Sequence, residues 1–395
     1  MKYLNGSEVF PDNLLEMIQD YVQGMYVYIP KKGDRKEDWG TGTNYKNELS
    51  KRDSHIYQKY LEGITTKQLE SRYNLSSSSI RRIIFKEKGK FEGMNLKIKD
   101  ILTHWNIQGD VNQIYTTAWD VSDKYIIKVY DNFGNMKRNI TILKTLLKYD
   151  VPVAEVVPLT NGEDFWEEEQ KYYILTKKLR GKNIENIHKR STEVFCQMGE
   201  AISKLHLAFQ KCENEISFRN NSLLDEMNGW IYEKLNTSDW KYINKEDYEE
   251  TVKQLNSIYN ELPKQLIHRD VYFGNFLFDK GRFSGYIDFD LSQKNIRIFD
   301  IAYFLLGILC EDDNHRVSKE SWYDLVGEVI RGYEENIKLT ECEEEHLTTV
   351  MKSIEILFTA YFMSINDEKY AENAASLYHF IKENEMKISK KINCL

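Results

Sequence analysis

The stretch LIHRDVYFGNFLFDKGRFSGYIDFD, residues 266–290, sets a histidine, an asparagine and several aspartates among apolar residues. His268 and Asp270 come first, Asn275 follows five residues after Asp270, and Asp288 lies thirteen beyond the asparagine. The triplet FLF after Asn275 reads as a short strand and GRFSGYIDF as its partner, joined by the turn DKG. Such a hairpin would bring Asp288 back beside Asn275.

These residue types fit one chemistry. Phosphoryl transfer from a nucleotide needs a carboxylate to orient a hydroxyl and accept its proton. It also needs oxygen ligands for the magnesium ions that neutralise the phosphates. Asp270, Asn275 and Asp288 supply both. The segment resembles the aminoglycoside phosphotransferase and choline kinase superfamily: HRDVYFGN looks like its catalytic loop, and YIDFDLSQKNIRIFDIAYFL like its metal-binding aspartate segment with the following helix. The likeness runs from about Asn95 to the C-terminus and has a flavour of homoserine-kinase-like members. It implies an α+β, bilobal protein-kinase-like fold with a small antiparallel-sheet lobe and a larger, mainly helical one. By that resemblance Asp270 is the catalytic base, Asn275 and Asp288 bind magnesium, and His268 and Asp300 hold the loop structurally.

The other parts of such an enzyme can be sought upstream. In DKYIIKVYD, Lys128 interrupts an apolar alternating strand preceded by a turn at Ser122 and Asp123, and is the candidate cation for the nucleotide phosphates. The strand before it, NQIYTTAWDV, sits where a phosphate-covering loop belongs. It lacks a Gly-rich pattern, so contacts would come from backbone N–H groups and the hydroxyls of Thr116 and Thr117. The next helix, NMKRNITILKTLLKYD, turns Ile140, Leu143 and Leu147 inward and has Asn139 where related sites carry a glutamate paired with the lysine. An amide can hydrogen-bond but adds no charge. VPVAEVVP reads as a strand and KYYILTKKLRGKN as another that runs into a hinge. By resemblance the backbone of Thr176, Lys177, Lys178 and Leu179 meets the base edge of ATP or GTP, with Gly181 allowing the turn and Leu277 and Ile287 as apolar walls. His206 reads as a packing or supporting residue.

The N-terminal part differs in charge. Residues 1–99 carry 18 Lys+Arg against 13 Asp+Glu, and the remainder 36 against 49, within a net charge of −8. PDNLLEMIQDYVQG reads as a helix, NELSKRDSHIYQKYLEG as another ending at Gly63, and TTKQLESRYNLSSSSIRRIIFKEK as two short helices around a turn. On the last helix Ile80, Ile83 and Ile84 share one side, which leaves Ser78, Arg81 and Arg82 opposite, suited to phosphates and base edges. Through YVQGMYVYIPKK and ITTKQLESRYNLSSSSIRRII the region resembles small bacterial proteins with a helix-turn-helix of the Mor transcription-activator type. That implies duplex DNA as a partner of residues 44–90. KEKGK, Lys86–Lys90, reads as a linker.

The expected organisation is therefore a helix-turn-helix-like domain at 1–90, a kinase-like N-lobe at 91–179 and a C-lobe at 180–395 whose helices wall the acceptor pocket. The 395 residues are 41% hydrophobic and 29% charged, ordinary for a globular chain. The longest apolar run, Ile301–Cys310, is about half a bilayer span. Five scattered cysteines argue against a disulfide framework. With no signal-like start, the expectation is a cytoplasmic protein without a membrane partner. The acidic kinase-like part, with CEDD at Cys310–Asp313, favours an amine-bearing alcohol as acceptor; aminoglycosides, choline, homoserine and other small hydroxyl compounds stay open. The rival reading is a ligand-sensing DNA-binding transcriptional regulator with little turnover. A protein kinase fits less well, because only about a dozen residues separate Asp288 from the next helix, too few for an activation segment.

Overall fold

The computed structural model describes residues 15, 52–57, 59–60, 63–73, 75–184, 187–215, 218, 221–309 and 317–392. The helix expected at 11–24, the stretch 25–30 and the acidic run 310–313 lie outside these, apart from residue 15, which is helical. The chain divides into two units, Met1–Phe91 and Glu92–Leu395.

In the first unit, Ile56, Leu69, Ile80 and Ile83 form a small core, with Ile84 packed against it. The helix Thr66–Tyr73 starts from a reciprocal cap: Gln68 N–H donates to Thr65 Oγ1, and Thr65 N–H to Gln68 Oε1. Ser76 Oγ accepts from Ser79 N–H and starts the helix Ser77–Leu102. Ser78, Arg81 and Arg82 are exposed on that helix, opposite the buried isoleucines. Lys86–Lys90, expected as a linker, is instead helical. Lysine and glutamate are good helix formers, and the roughly 1 kcal/mol cost of Gly89 does not break the helix.

The second unit contains a five-stranded antiparallel sheet in the order β1-β2-β3-β5-β4: Val111–Tyr115, Ala118–Val121, Tyr125–Tyr130, Trp166–Glu168 and Lys171–Lys177 for β1 to β5. The single strand expected across NQIYTTAWDV is two, folded at Thr116 and Thr117. Ser122 and Asp123 both take positive φ in the next turn, which Asp120 Oδ1 supports by accepting from Asp123 N–H. One sheet face packs Trp119, Val121, Ile127, Tyr173 and Leu175 against Ile98, Ile101 and Trp105. The helix Phe133–Lys148, capped by Asn132, buries Met136, Ile140, Leu143 and Leu146 in the larger core.

VPVAEVVP forms no strand. Val153 bridges Tyr286 and Val156 bridges Thr176, so the segment touches two sheets in turn while its prolines remove ladder donors. Beyond Gly181, whose φ of 108° only glycine adopts freely, the chain becomes mainly helical. The helices Thr192–Cys212 and Lys319–Glu334 approach most closely at Gly199 and Gly332, where a Cβ would collide with the partner backbone. The helices Glu341–Ser364 and Glu368–Ile392 pack together at the C-terminal end. Among the described residues no helix is long and apolar enough to cross a membrane.

Two antiparallel strand pairings present the opening stretch. β6 (Lys264–Ile267) pairs with β9 (Gln293–Ile296), which sequence reading did not foresee. β7 (Phe276–Asp279) pairs with β8 (Arg282–Tyr286) through Lys280 and Gly281, both at positive φ, the backbone of a type I′ turn.

Candidate active site

β6 delivers the chain to His268 and then to Arg269, a non-glycine residue at φ 68°. Such a backbone persists only where its surroundings hold it. The holding group is Asp300, fully buried near the start of the helix Ile298–Leu309. Its Oδ2 accepts from His268 N–H at 2.9 Å and its Oδ1 from Arg269 N–H at 2.8 Å. His206 Nε2 donates to Oδ2 at 3.0 Å, and Tyr333 meets the other imidazole nitrogen. The Arg269 guanidinium is anchored by Glu226 at 2.7 Å and lies over the Phe299 ring. Both His268 nitrogens are engaged: Nδ1 accepts from Asp270 N–H at 3.3 Å, and Nε2 donates to Ile287 O at 3.2 Å. This pattern assigns the neutral tautomer protonated on Nε2.

Asp270 follows directly. Tyr303 O–H donates to its Oδ1 at 2.9 Å, and Asn275 Nδ2 donates to its Oδ2 at 2.9 Å and to its backbone oxygen at 2.8 Å. Burial pushes the Asp270 carboxyl above its ordinary range, and the hydrogen bond from Tyr303 pulls it partly back. Asn183 Nδ2 supports the same loop by donating to the carbonyls of Gly274 and Phe276.

Ile287 N–H donates to Asn275 O at 3.1 Å, which places Asp288, at φ 62°, next to the asparagine. From the central strand β3, Lys128 Nζ reaches Asp288 Oδ1 at 2.9 Å and Asp290 Oδ2 at 2.5 Å. Burial acts to lower the lysine pKa, but the charges of Asp290 and Asp288 outweigh it and hold the group above its usual value. Burial likewise acts to raise the Asp288 carboxyl, and Lys128 more than reverses this. Asn139 does not bond the lysine. Its Nδ2 donates to Asp290 Oδ1 at 2.5 Å, an oxygen that also accepts from Tyr130 O–H at 3.1 Å.

The nucleotide-side residues are placed as follows. Thr116 and Thr117 form the exposed β1–β2 turn. Thr176 is buried, with its hydroxyl on Ile126 O at 3.3 Å. Lys177 N–H goes to Glu155 O and Lys178 N–H to Lys124 O, both at 2.8 Å, so these two amides are already occupied within the protein. Their ammonium groups pair with Glu155 and with Asp120 and Asp123 respectively. Leu179 stands over Gly285, which pairs with buried Leu277 across β7 and β8; Ile287 is half-buried just beyond.

The donor chemistry fits magnesium. Both Asn275 amide hydrogens go to Asp270, which fixes the amide and leaves Oδ1 as its acceptor, and Asp288 adds carboxylate oxygens. These are hard oxygen ligands. Among the described residues no group of three or more His, Cys, Asp and Glu side chains could hold a metal ion. A sparse oxygen set suits an ion that takes its remaining ligands from phosphates and water.

Sequence reasoning missed Asp290, Tyr303 and Asn183. Asp290 stands in the quoted run two residues after Asp288, and Tyr303 is the hydroxyl within an apolar helix three residues after Asp300; those spacings were the available signals.

The model of the phosphotransferase enzyme family matches residues 111–339. The homoserine kinase of Zymomonas mobilis is 22% identical over 275 residues, covering 67% of this chain and 80% of that protein. The uncharacterized protein YraL of Bacillus subtilis is 32% identical over 85 residues, covering 22% of this chain and 98% of that protein. Among solved structures, the amicoumacin kinase hAmiN, in complex with AMP-PNP, Ca2+ and Ami, aligns with a TM-score of 0.57 at 16% identity, over 78% of this chain and 96% of that one. The GDP complex of aminoglycoside 2′-phosphotransferase-IIIa aligns with a TM-score of 0.55 at 12% identity, over 74% and 99%. These two share the fold, a sheet lobe followed by a helical lobe. With more than half of its length matched by the family model, the chain belongs to the phosphotransferase enzyme family.

Proposed function

We propose that the protein is a magnesium-dependent small-molecule kinase that moves the γ-phosphate of ATP or GTP to a hydroxyl of an amine-bearing acceptor. The observation that carries this reading is the orientation of Asp270, whose two carboxylate oxygens are held by Tyr303 and Asn275 beside the Lys128–Asp288 pair. In this reading Asp270 orients the acceptor hydroxyl and takes its proton as the oxygen attacks the γ-phosphorus and the bond to the β-phosphate oxygen breaks. Lys128 leaves its carboxylate partners in part to meet the nucleotide phosphates. Asn275 and Asp288 would hold magnesium, which when bound neutralises charge on the phosphates.

The nucleotide would lie between lobes at 91–179 and 180–395. Its base would sit near Thr176–Leu179, with Leu277 and Ile287 as walls and Thr116 and Thr117 over the phosphates. His268, Asp300 and Asn139 would act through the residues they hold. An amine-bearing acceptor follows from the acidic excess of residues 100–395, which favours cations in a cleft. The named activities of relatives, homoserine kinase and aminoglycoside phosphotransferase, both place phosphate on hydroxyls of amine-bearing molecules.

The test is phosphate transfer from Mg-ATP and Mg-GTP to a panel of amino alcohols, homoserine, choline and aminoglycosides. Transfer to one class identifies the acceptor. Nucleotide binding without transfer to any of them would count against the kinase reading.

A further inference from the structure

The lysine that would hold phosphates needs a fixed counter-charge, because a flexible ammonium on a four-carbon stem is otherwise poorly positioned. The helix after β3 cannot supply one: FGNMKRNITILKTLLK, Phe133–Lys148, contains neither aspartate nor glutamate. The charge nearest to Lys128 Nζ comes instead from Asp290, at 2.5 Å. Both oxygens of Asp290 accept hydrogen bonds. Oδ2 takes Lys128, while Oδ1 takes Asn139 Nδ2 at 2.5 Å and Tyr130 O–H at 3.1 Å.

Those three donors come from two consecutive elements. Lys128 and Tyr130 lie on β3, and Asn139 is buried on the helix that follows. Asp290 itself lies just after the β7–β8 hairpin, two residues from Asp288. A neutral amide on the helix could aim a carboxylate but could not replace it. The arrangement divides the work accordingly: Asn139 and Tyr130 aim Asp290, and Asp290 aims the lysine.

We propose that Asp290 is a positioning residue that supplies the counter-charge for Lys128 in place of a helix carboxylate, with Asn139 and Tyr130 holding it. The inference rests on the assignment of Lys128 to nucleotide phosphates. It makes the helix Phe133–Lys148 act on the lysine through a group from the larger lobe, so that loss of either Asn139 or Asp290 is felt at the phosphates and not at the base.

The test uses the full-length protein, with titration calorimetry of Mg-AMP-PNP and of adenosine, and thermal unfolding as the check on folding. Asp290→Asn keeps the shape and removes the charge. It is expected to weaken Mg-AMP-PNP binding about tenfold and to leave adenosine binding unchanged. Asn139→Glu in the Asp290→Asn background returns a carboxylate within reach and should recover most of the lost affinity. Equal weakening of AMP-PNP and adenosine would overturn the proposal in favour of a merely structural residue. Loss that Asn139→Glu does not recover, with a raised magnesium requirement, would overturn it in favour of a metal ligand. An Asp290→Asn protein that binds AMP-PNP normally would overturn it outright. A wild type that binds adenosine but gains nothing from the phosphates would overturn the Lys128 assignment itself.

Discussion

Tyr303 O–H donates to Asp270 Oδ1 at 2.9 Å, and its ring packs against Phe358 of the helix Glu341–Ser364. A residue of the apolar helix after Asp300 thus fixes one oxygen of the proposed base, while Asn275 fixes the other. Tyr303→Phe should lower kcat by about tenfold, the worth of one hydrogen bond to a charged group, with little change in nucleotide affinity. Because that hydrogen bond favours the ionised carboxylate, its loss raises the Asp270 pKa further. The acidic limb of the kcat/KM profile should therefore move to higher pH. An unmoved limb with normal kcat would mean that Tyr303 does not act on the base.

Asp300 is the acceptor for three donors in a fully buried position. Asp300→Ala would orphan the backbone N–H groups of His268 and Arg269 and the His206 ring. Urea unfolding should show a loss of about 3–5 kcal/mol. A loss below about 1 kcal/mol would show that the strained turn at Arg269 is held by something else.

Glu355 gives stability a pH dependence of its own. It is 4% exposed, and burial alone pushes its carboxyl up to about 8. In the unfolded chain a glutamate titrates near about 4.3. The folded pKa is the higher one, so this contribution is fully present below about pH 4.3 and is lost progressively as pH rises towards 8. Glu355→Gln removes the titration. The variant should gain on the wild type by on the order of a few kcal/mol between about pH 5 and 9. Parallel stability curves for the two proteins would refute this.

The helices Thr192–Cys212 and Lys319–Glu334 meet backbone to backbone at Gly332 and Cys196. Gly332→Ala puts a methyl group against the Cys196 carbonyl. Overpacking of this kind costs about 1–3 kcal/mol or more, which a lower urea midpoint would register. An unchanged or higher midpoint would show that the helices separate without cost.

Local contacts were legible and distant ones were not. Asp270 and Asn275 are five residues apart, and the β7–β8 hairpin returns the chain to Asn275, so spacing and turn chemistry were enough to place Asp288 beside them. The two-lobed fold was legible through the resemblance carried by HRDVYFGN and YIDFDLSQKNIRIFDIAYFL. The contact between Lys128 and Asp290 spans 162 positions, and no local pattern marks it. Asn139 looked like a weakened partner of the lysine because its alignment was visible and its true acceptor was not. Residues 151–158 were misread because β-branched residues mark bridging segments as well as strands. Lys86–Lys90 were misread because lysine and glycine signal a linker by composition, whereas lysine and glutamate extend a helix by propensity.

The most direct test of the central claim compares wild type with Asp270→Asn for Mg-AMP-PNP affinity and for phosphate transfer to whichever acceptor the wild type uses. The account predicts an unchanged affinity and a rate lower by about 100-fold to 10,000-fold, the range for loss of a general base. Transfer at the wild-type rate would contradict it and remove Asp270 from the chemistry.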